Sequence, residues 1–198
     1  NLKGDNVISS KGAIHYITQS DLEKAKPYLI NKVKSQKIVS LILGGPNKYY
    51  SFSNKELMGV FKKIKTNFIS DGYKAIIVPS LRTPKRIIDL AVNEFDSDNY
   101  VVNSVDKQAY LSALALATCI VVTCDSTSMI SEAAASGKPI FVAHMGLKKN
   151  NYRFKKFFQL FKEMGITREL GERVQNWTYN KLNEAERIAA MINNKLNN

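Results

Sequence analysis

Cysteine and histidine are nearly missing from this chain, with two of each in 198 residues. Cys119 and Cys124 lie five positions apart in what reads as one strand, so an odd offset puts them on opposite faces and predicts no disulfide. That suits a reduced, cytoplasmic setting. With so few soft ligands and no clustering, a metal site has no support. No apolar run approaches the roughly 20 residues needed to span a bilayer, and no signal peptide is visible. There is no GxGxxG and no Walker motif, which argues against a dinucleotide oxidoreductase or a P-loop enzyme. No Ser–His–Asp or paired-carboxylate spacing stands out, and His15 and His144 read as structural.

Positive charge is abundant. Twenty-nine Lys and Arg against 17 Asp and Glu give a net charge of +12 and a pI near 9.6, which points to anionic partners: phosphorylated ligands or anionic lipid. Nucleic acid has only this charge in its favour and is not expected as a partner. Hydrophobic content of 44% and charged content of 23% fit a globular chain that buries roughly 70% of its unfolded surface. The chain opens at Asn1 with "NLKGDNVISSKGAIHYIT", which reads as the middle of a protein and suggests a fragment or a processed chain.

Runs rich in β-branched residues alternate with amphipathic stretches. Ala13–Ile17 reads as a short strand, and Thr18 with Asp21 as a capping pair for a helix that Pro27 cuts short. "KIVSLILGG" is a buried strand. Ser53 and Glu56 form a capping box for a helix to about Ser70. "YKAIIVPS" is a strand, after which Thr83-Pro84 supplies a cap and an N1 proline. "NYVVN", a helix near Asp106–Ala117, and "CIVVT" follow. The next helix closes at Gly137, a natural left-handed C′ residue, before the strand "IFVA". Tyr152–Met164 reads as a helix, "GITRELGERVQNWT" as irregular, and Asn183 as the cap of a last helix from Glu184 to about Lys195. Strands alternating with helices predict an α/β fold, a doubly wound, Rossmann-like parallel sheet covered on both faces.

In such sheets ligands bind beyond the carboxyl ends of the strands, where strand order reverses. With strand order 3-2-1-4-5, that point lies between "VSLILGG" and "CIVVT". Gly44-Gly45 ends one strand, and Asp125-Ser126-Thr127-Ser128 ends its neighbour. Hydroxyls at a helix start either cap it or add donors to the free N–H groups that bind a phosphate there; alone, the pattern favours the cap. Glu132, one turn after Ser128, is either a solvated carboxylate or an acceptor for two vicinal hydroxyls such as those of a ribose. Gly44 and Gly45 either let backbone approach a ligand or only turn the chain. Arg82, at the same edge, is either a solvated side chain, which the residue alone favours, or a partner for phosphate. Lys148, Lys149 and Arg153 start from that edge too. Phe154, Phe157, Phe158 and Phe161 fall at i, i+3, i+4, i+7, most simply a core-facing stripe, although aromatics mixed with basic residues also suit nucleic acid or membrane.

"GGPNKYYSFS", "SLRTP", "LALATCIVVTCDSTSMISEAAASGKP" and "YRFKKFF", in this order, resemble the mitochondrial-fission "elongated mitochondria" family, whose bacterial members are often labelled nucleoside-diphosphate-sugar epimerases. The likeness covers nearly the whole chain. Gln108-Ala109 and Thr118-Cys119 depart from the Asn-Pro and Asp-Ala usual in that family. Beyond it stands the GT-B glycosyltransferase and epimerase fold, two Rossmann-like domains across a cleft, of which the C-terminal one binds the nucleotide sugar.

The resemblance implies that residues 1–198 are that single donor-binding domain, the C-terminal part of a two-domain protein. Ser126–Ser128 would then receive the diphosphate and Glu132 the ribose, with Gly44-Gly45 on the cleft floor and Arg82 and Thr83 in the family's Arg-Thr-Pro motif. It implies a nucleoside-diphosphate sugar as ligand and no further cofactor. It also implies an absent N-terminal domain as partner and no turnover by this chain alone, while the excess positive charge suits a phosphate-rich donor and peripheral contact with anionic membrane at its inner face. A non-catalytic adaptor on the same fold, as in organelle division, is the other reading the resemblance allows. The epimerase label gains nothing from the residues, since no acid/base pair can be placed.

Overall fold

The computed structural model describes residues 4, 6–95, 98–171, 174 and 176–197. A central sheet is built first from β1 (Ile38–Leu43), β3 (Lys74–Pro79), β4 (Tyr100–Val101) and β5 (Cys119–Thr123), with β6 (Ile140–Ala143) and β8 (Thr167–Glu169) extending one side. Two short strands, β2 (Tyr50–Ser51) and β7 (Gly146–Leu147), pair with each other antiparallel. The six-stranded order is β4-β3-β1-β5-β6-β8, with every pairing parallel. Strand order therefore reverses between β1 and β5, where the two sequence motifs were expected to meet.

All residues of β1 and β5 are buried, as central parallel strands covered on both faces must be. The single polar residue of β1, Ser40, is satisfied by donating its hydroxyl to the Ala113 carbonyl at 2.7 Å. The helices are α1 (Gln19–Ala25), α2 (Pro27–Ile30), α3 (Asn54–Asn67), α4 (Lys85–Glu94), α5 (Lys107–Leu116), α6 (Thr127–Ala134), α7 (Tyr152–Glu163) and α8 (Glu184–Leu196). Right-handed crossovers put α3 and α4 on one face, and α5, which returns the chain from β4 across to β5, on the other. In keeping with this, α3 packs on α4, while α1 and α2 pack on α5.

Several local expectations hold. Thr18 with Asp21 and Ser53 with Glu56 form reciprocal capping boxes. Asn183 caps α8 and Gly137 takes a left-handed φ of 73°; a helix does run over Lys107–Leu116, with Asp106 as its N-cap. Both cysteines are free and buried. The aromatic stripe of α7 faces inward, with Phe161 fully buried and Phe154, Phe157 and Phe158 packed against the core.

Others are corrected. Ala13–Ile17 forms no strand; the Ala13 N–H goes to the Ser131 hydroxyl at 2.9 Å, so the segment packs on α6 rather than joining a sheet. Pro84 is the N-cap of α4, not its first residue, because the Thr83 hydroxyl is used elsewhere. The stretch after Gly165, read as irregular, contains the edge strand β8; part of that stretch, Glu172, Arg173 and Gln175, lies outside the described residues. Helix α3 stops at Asn67 and passes into a 3₁₀ turn, Ile69–Asp71.

Phe161 is 0% exposed and its ring lies 4.1 Å, centroid to centroid, from that of Phe157. Phe161→Ala is expected to lower unfolding free energy by about 3–5 kcal/mol, read by urea denaturation. Phe158→Ala, at a half-buried position of the same stripe, should cost clearly less.

Candidate functional site

At the carboxyl ends of β1, β3 and β5 the chain builds a buried polar knot. Its centre is Asp125, whose side chain is 0% exposed. The carboxylate accepts from the Thr123 hydroxyl at 2.7 Å, from the Gly45 N–H at 3.2 Å and from the Arg82 guanidinium at 2.6 Å. Thr123 in turn accepts from the Gly44 N–H at 2.8 Å. The Thr83 hydroxyl lies 2.8 and 2.7 Å from the Leu43 and Gly44 carbonyls, which share its one proton, and it accepts from the Ser80 N–H at 2.9 Å. Asn47 finishes the turn: its amide donates to the Asp125 carbonyl at 3.2 Å, and its oxygen accepts from the N–H groups of Tyr49 and Tyr50.

This knot explains the double glycine. A Cβ on Gly44 would lie 2.1 Å from the Asp125 carboxylate, and one on Gly45 would lie 1.9 Å from the Arg82 carbonyl. The space that glycine leaves open is filled by the protein itself. Gly44, Gly45, Arg82, Thr83 and Asp125 are therefore brought together as the sequence reading expected, but they hold one another. Arg82 alone among them reaches outward, its side chain 46% exposed.

The second part of the site is the start of α6. Ser126 is the N-cap, its hydroxyl accepting from the Met129 N–H at 3.4 Å, so one of the three hydroxyls is spent on capping. The N–H groups of Thr127 and Ser128 find no acceptor among the described residues, as the first turn of a helix dictates. Thr127 is half-buried and Ser128 exposed. One turn on, Glu132 is half-buried and accepts from the Tyr110 hydroxyl at 2.6 Å through Oε2, which ties α6 to α5. Its Oε1 has no described partner. Burial, reinforced by the Glu132 charge, pushes the Tyr110 phenol well above its ordinary value.

Thr127 opens onto a groove of about 910 Å³ whose other walls include Lys11, Lys48, Tyr49, Arg153 and Phe157. The groove lies on the carboxyl edge of the sheet, between the loop after β1 and the start of α7. Its walls are fixed by the β2–β7 pairing and by Phe154, whose ring meets those of Tyr49 and Tyr50 at 5.6 and 5.3 Å. The combination offers free N–H groups, a helix N-terminus and three cationic side chains, a setting for a phosphorylated ligand. Sequence reasoning missed Asn47, Thr123, Tyr110, Lys48 and the segment 11–13. Asn47 was legible as an Asx turn after Gly-Gly-Pro, whereas Lys11 and Tyr110 reach the site only through long-range packing.

Nucleophilic cysteine chemistry finds no support. Burial pushes the Cys124 thiol up to about 12, and thiolate is the reactive form. His144 pairs with Glu169 at 2.7 Å. Among the described residues, no group of three or more His, Cys, Asp or Glu is placed to hold a metal ion, and no helix is long and apolar enough to cross a membrane.

The fold and this edge define a Rossmann-like α/β unit of the kind found in GT-B proteins. In fold the chain is similar to a solved S. aureus MnaA–UDP structure, with a TM-score of 0.53 at 13% identity over 83% of this chain and 39% of that one. Residues 1–196 match the family described as "Mitochondrial fission ELM1", and the chain belongs to that family. It is 29% identical to an uncharacterized protein of Rickettsia prowazekii (strain Madrid E), over 94% of this chain and 54% of that protein. It is 26% identical to the Mitochondrial fission protein ELM1 of Arabidopsis thaliana, over 97% and 46% respectively. The chain thus spans about half the length of the curated relatives it matches.

Two glycines separate the knot from ordinary helix propensity. Gly45→Ala collides with backbone and is expected to destabilise the fold by about 1–3 kcal/mol or more. Gly59→Ala, inside α3 with nothing within 4 Å of the added carbon, should instead stabilise by about 0.4–1 kcal/mol. Paired thermal melts would read both signs.

A second expectation concerns alkaline pH. Tyr50, Tyr110 and Tyr179 are raised, with burial the main cause, and Tyr73 is pushed up to about 12, from an ordinary value of 10.0. A folded value above the unfolded one gives stability that is intact below about pH 10 and is lost as pH rises towards the folded values, by about 1.4 kcal/mol per pH unit for each tyrosine. Denaturation midpoints should fall above that pH, and Tyr110→Phe should flatten the slope.

Proposed function

We propose that this chain is the donor-binding domain of a GT-B-type, glycosyltransferase-like protein, taking a nucleoside-diphosphate sugar at the start of α6. The observation that carries the reading is that the start of α6, whose first N–H groups have no acceptor among the described residues, lies at the reversal of strand order and opens through Thr127 onto a groove lined by Lys11, Lys48 and Arg153. Anions bind helix N-termini because free N–H groups and the aligned peptide dipoles both face them. The diphosphate sits on Thr127 and Ser128, with the Ser128 hydroxyl as a further donor. Glu132, steadied by Tyr110, offers Oε1 to a ribose hydroxyl. Arg82 answers the remaining phosphate charge with the part of its guanidinium that Asp125 does not use.

Asp125, Thr83, Gly44 and Gly45 act at one remove, by holding the floor on which the ligand rests. That the fold neighbour from S. aureus was solved with UDP makes UDP and its sugars the first ligands to try. In a whole protein about twice as long, this unit supplies the donor site and a second domain supplies the acceptor. Sugar transfer would then proceed with the departing diphosphate stabilised by these fixed donors and cations.

The test is a thermal-shift screen with UDP, GDP, ADP, CMP and their sugars, since a ligand that binds only the folded chain raises its melting temperature. Ser128→Asp is the decisive variant. A carboxylate in the first turn favours the helix dipole, so the unliganded melt should hold or rise, while repulsion of phosphate should abolish the nucleotide shift. Ser128→Ala should weaken binding by roughly ten-fold or more, as the loss of a hydrogen bond to a charged group requires. A nucleotide shift unchanged in Ser128→Asp would remove this site.

A further inference from the structure

Beside the groove runs a surface that shares only Tyr152 and Arg153 with its lining. Residues 147–158 read Leu-Lys-Lys-Asn-Asn-Tyr-Arg-Phe-Lys-Lys-Phe-Phe, five cations without one carboxylate. Lys148, Lys149, Arg153, Lys155 and Lys156 are all exposed, and none forms an ion pair with a described residue. The first carboxylate along α7 is Glu163, at its far end, where it accepts from Gln159 at 2.7 Å. Set among the cations are two large side chains left in water: Leu147, 56% exposed, and Tyr152, 69% exposed. The surface is held firmly. Leu147 belongs to β7 and pairs with Tyr50, the Lys148 N–H donates to the Tyr49 carbonyl at 2.8 Å, and Asn151 caps α7.

We infer that this face, the β7–α7 corner and the outer side of the first turns of α7, docks on the surface of an anionic phospholipid bilayer. Charge complementarity chooses the partner: five uncompensated cations on one corner match a layer of acidic headgroups, each gaining about five-fold in affinity near such a surface. The exposed aliphatic and aromatic side chains favour a bilayer over nucleic acid, because tyrosine settles at the headgroup level and leucine has no partner on a phosphate backbone. The mode of attachment follows from α7 itself. Its phenylalanine stripe is committed to the core, so the helix has no apolar face to lay into the acyl region, unlike a free amphipathic helix. Docking is therefore shallow and electrostatic, with Leu147 and Tyr152 at the headgroups. The groove, bounded by Tyr152 and Arg153, then opens beside the membrane surface. The inference stands independently of the nucleotide site.

The experiment is co-sedimentation of the 198-residue chain with phosphatidylcholine vesicles with and without phosphatidylserine, at low and high sodium chloride. Binding should require phosphatidylserine and fall steeply with salt. Lys149→Ser/Lys155→Ser/Lys156→Ser should weaken it roughly a hundred-fold, with little change in the thermal melt, since these side chains form no ion pair with a described residue and only an exposed contact of Lys156 with the Tyr152 ring is lost. Tyr152→Ser should lower binding at both salt concentrations. Equal sedimentation with uncharged vesicles, no sedimentation with acidic ones, or undiminished binding of the triple variant would overturn the inference. So would tight binding of random-sequence duplex DNA by a chain that ignores the vesicles.

Discussion

The buried carboxylate of Asp125 is the interaction on which the carboxyl edge of this domain depends. A charge with no solvent contact must be answered by donors, or it costs about 3–5 kcal/mol when a partner is lost. Here the donors come from three strand ends: the Gly45 N–H after β1, the Arg82 guanidinium after β3 and the Thr123 hydroxyl at the end of β5. One side chain thereby fixes the mutual position of three loops, and no side chain larger than hydrogen fits at 44 or 45 while it does so. The start of α6 follows directly from Asp125 in the chain, so the direction in which its free N–H groups point is set by the same carboxylate.

Around that point the protein divides its polar groups by task. Thr83 and Thr123, buried in the knot, and Asn47, half-buried beside it, satisfy Asp125 and the backbone of the turn. At the rim, Thr127, Lys48 and Arg153 line the groove, and Ser128 is exposed next to Thr127. This separation of a satisfied floor from an unsatisfied rim is how a rigid scaffold presents polar groups to a ligand without the cost of burying them unpaired. Glu132 has one oxygen on Tyr110 and the other without a partner among the described residues.

Much of the architecture was legible because its signals are local. Solid β-branched runs marked β1, β3, β5 and β6, capping boxes marked α1 and α3, and alternation of strand and helix implied the parallel sheet and the place where its order reverses. What escaped were features decided by distant contacts. β8 is three residues long and exists because β6 offers an open edge; β2 and β7 are two residues each and stabilise one another. Thr83 looked like a cap, yet the Leu43 and Gly44 carbonyls claim its hydroxyl. At the site, Gly44, Gly45, Arg82, Thr83 and Asp125 converge, but that they form a floor beneath the start of α6 could not be read from spacing. Gly44-Gly45 looks the same in a sequence whether the space it leaves belongs to a ligand or to Asp125.

The most direct test of the proposed diphosphate site is an amide chemical-shift titration of the isotopically labelled chain with UDP, followed by other nucleoside diphosphates. The account predicts that the largest changes fall on the N–H groups of Thr127, Ser128 and Met129 and on the loop from Gly45 to Tyr49, with β8 and α8 unmoved. Changes centred on another face, or an unaltered spectrum with every nucleotide, would contradict it.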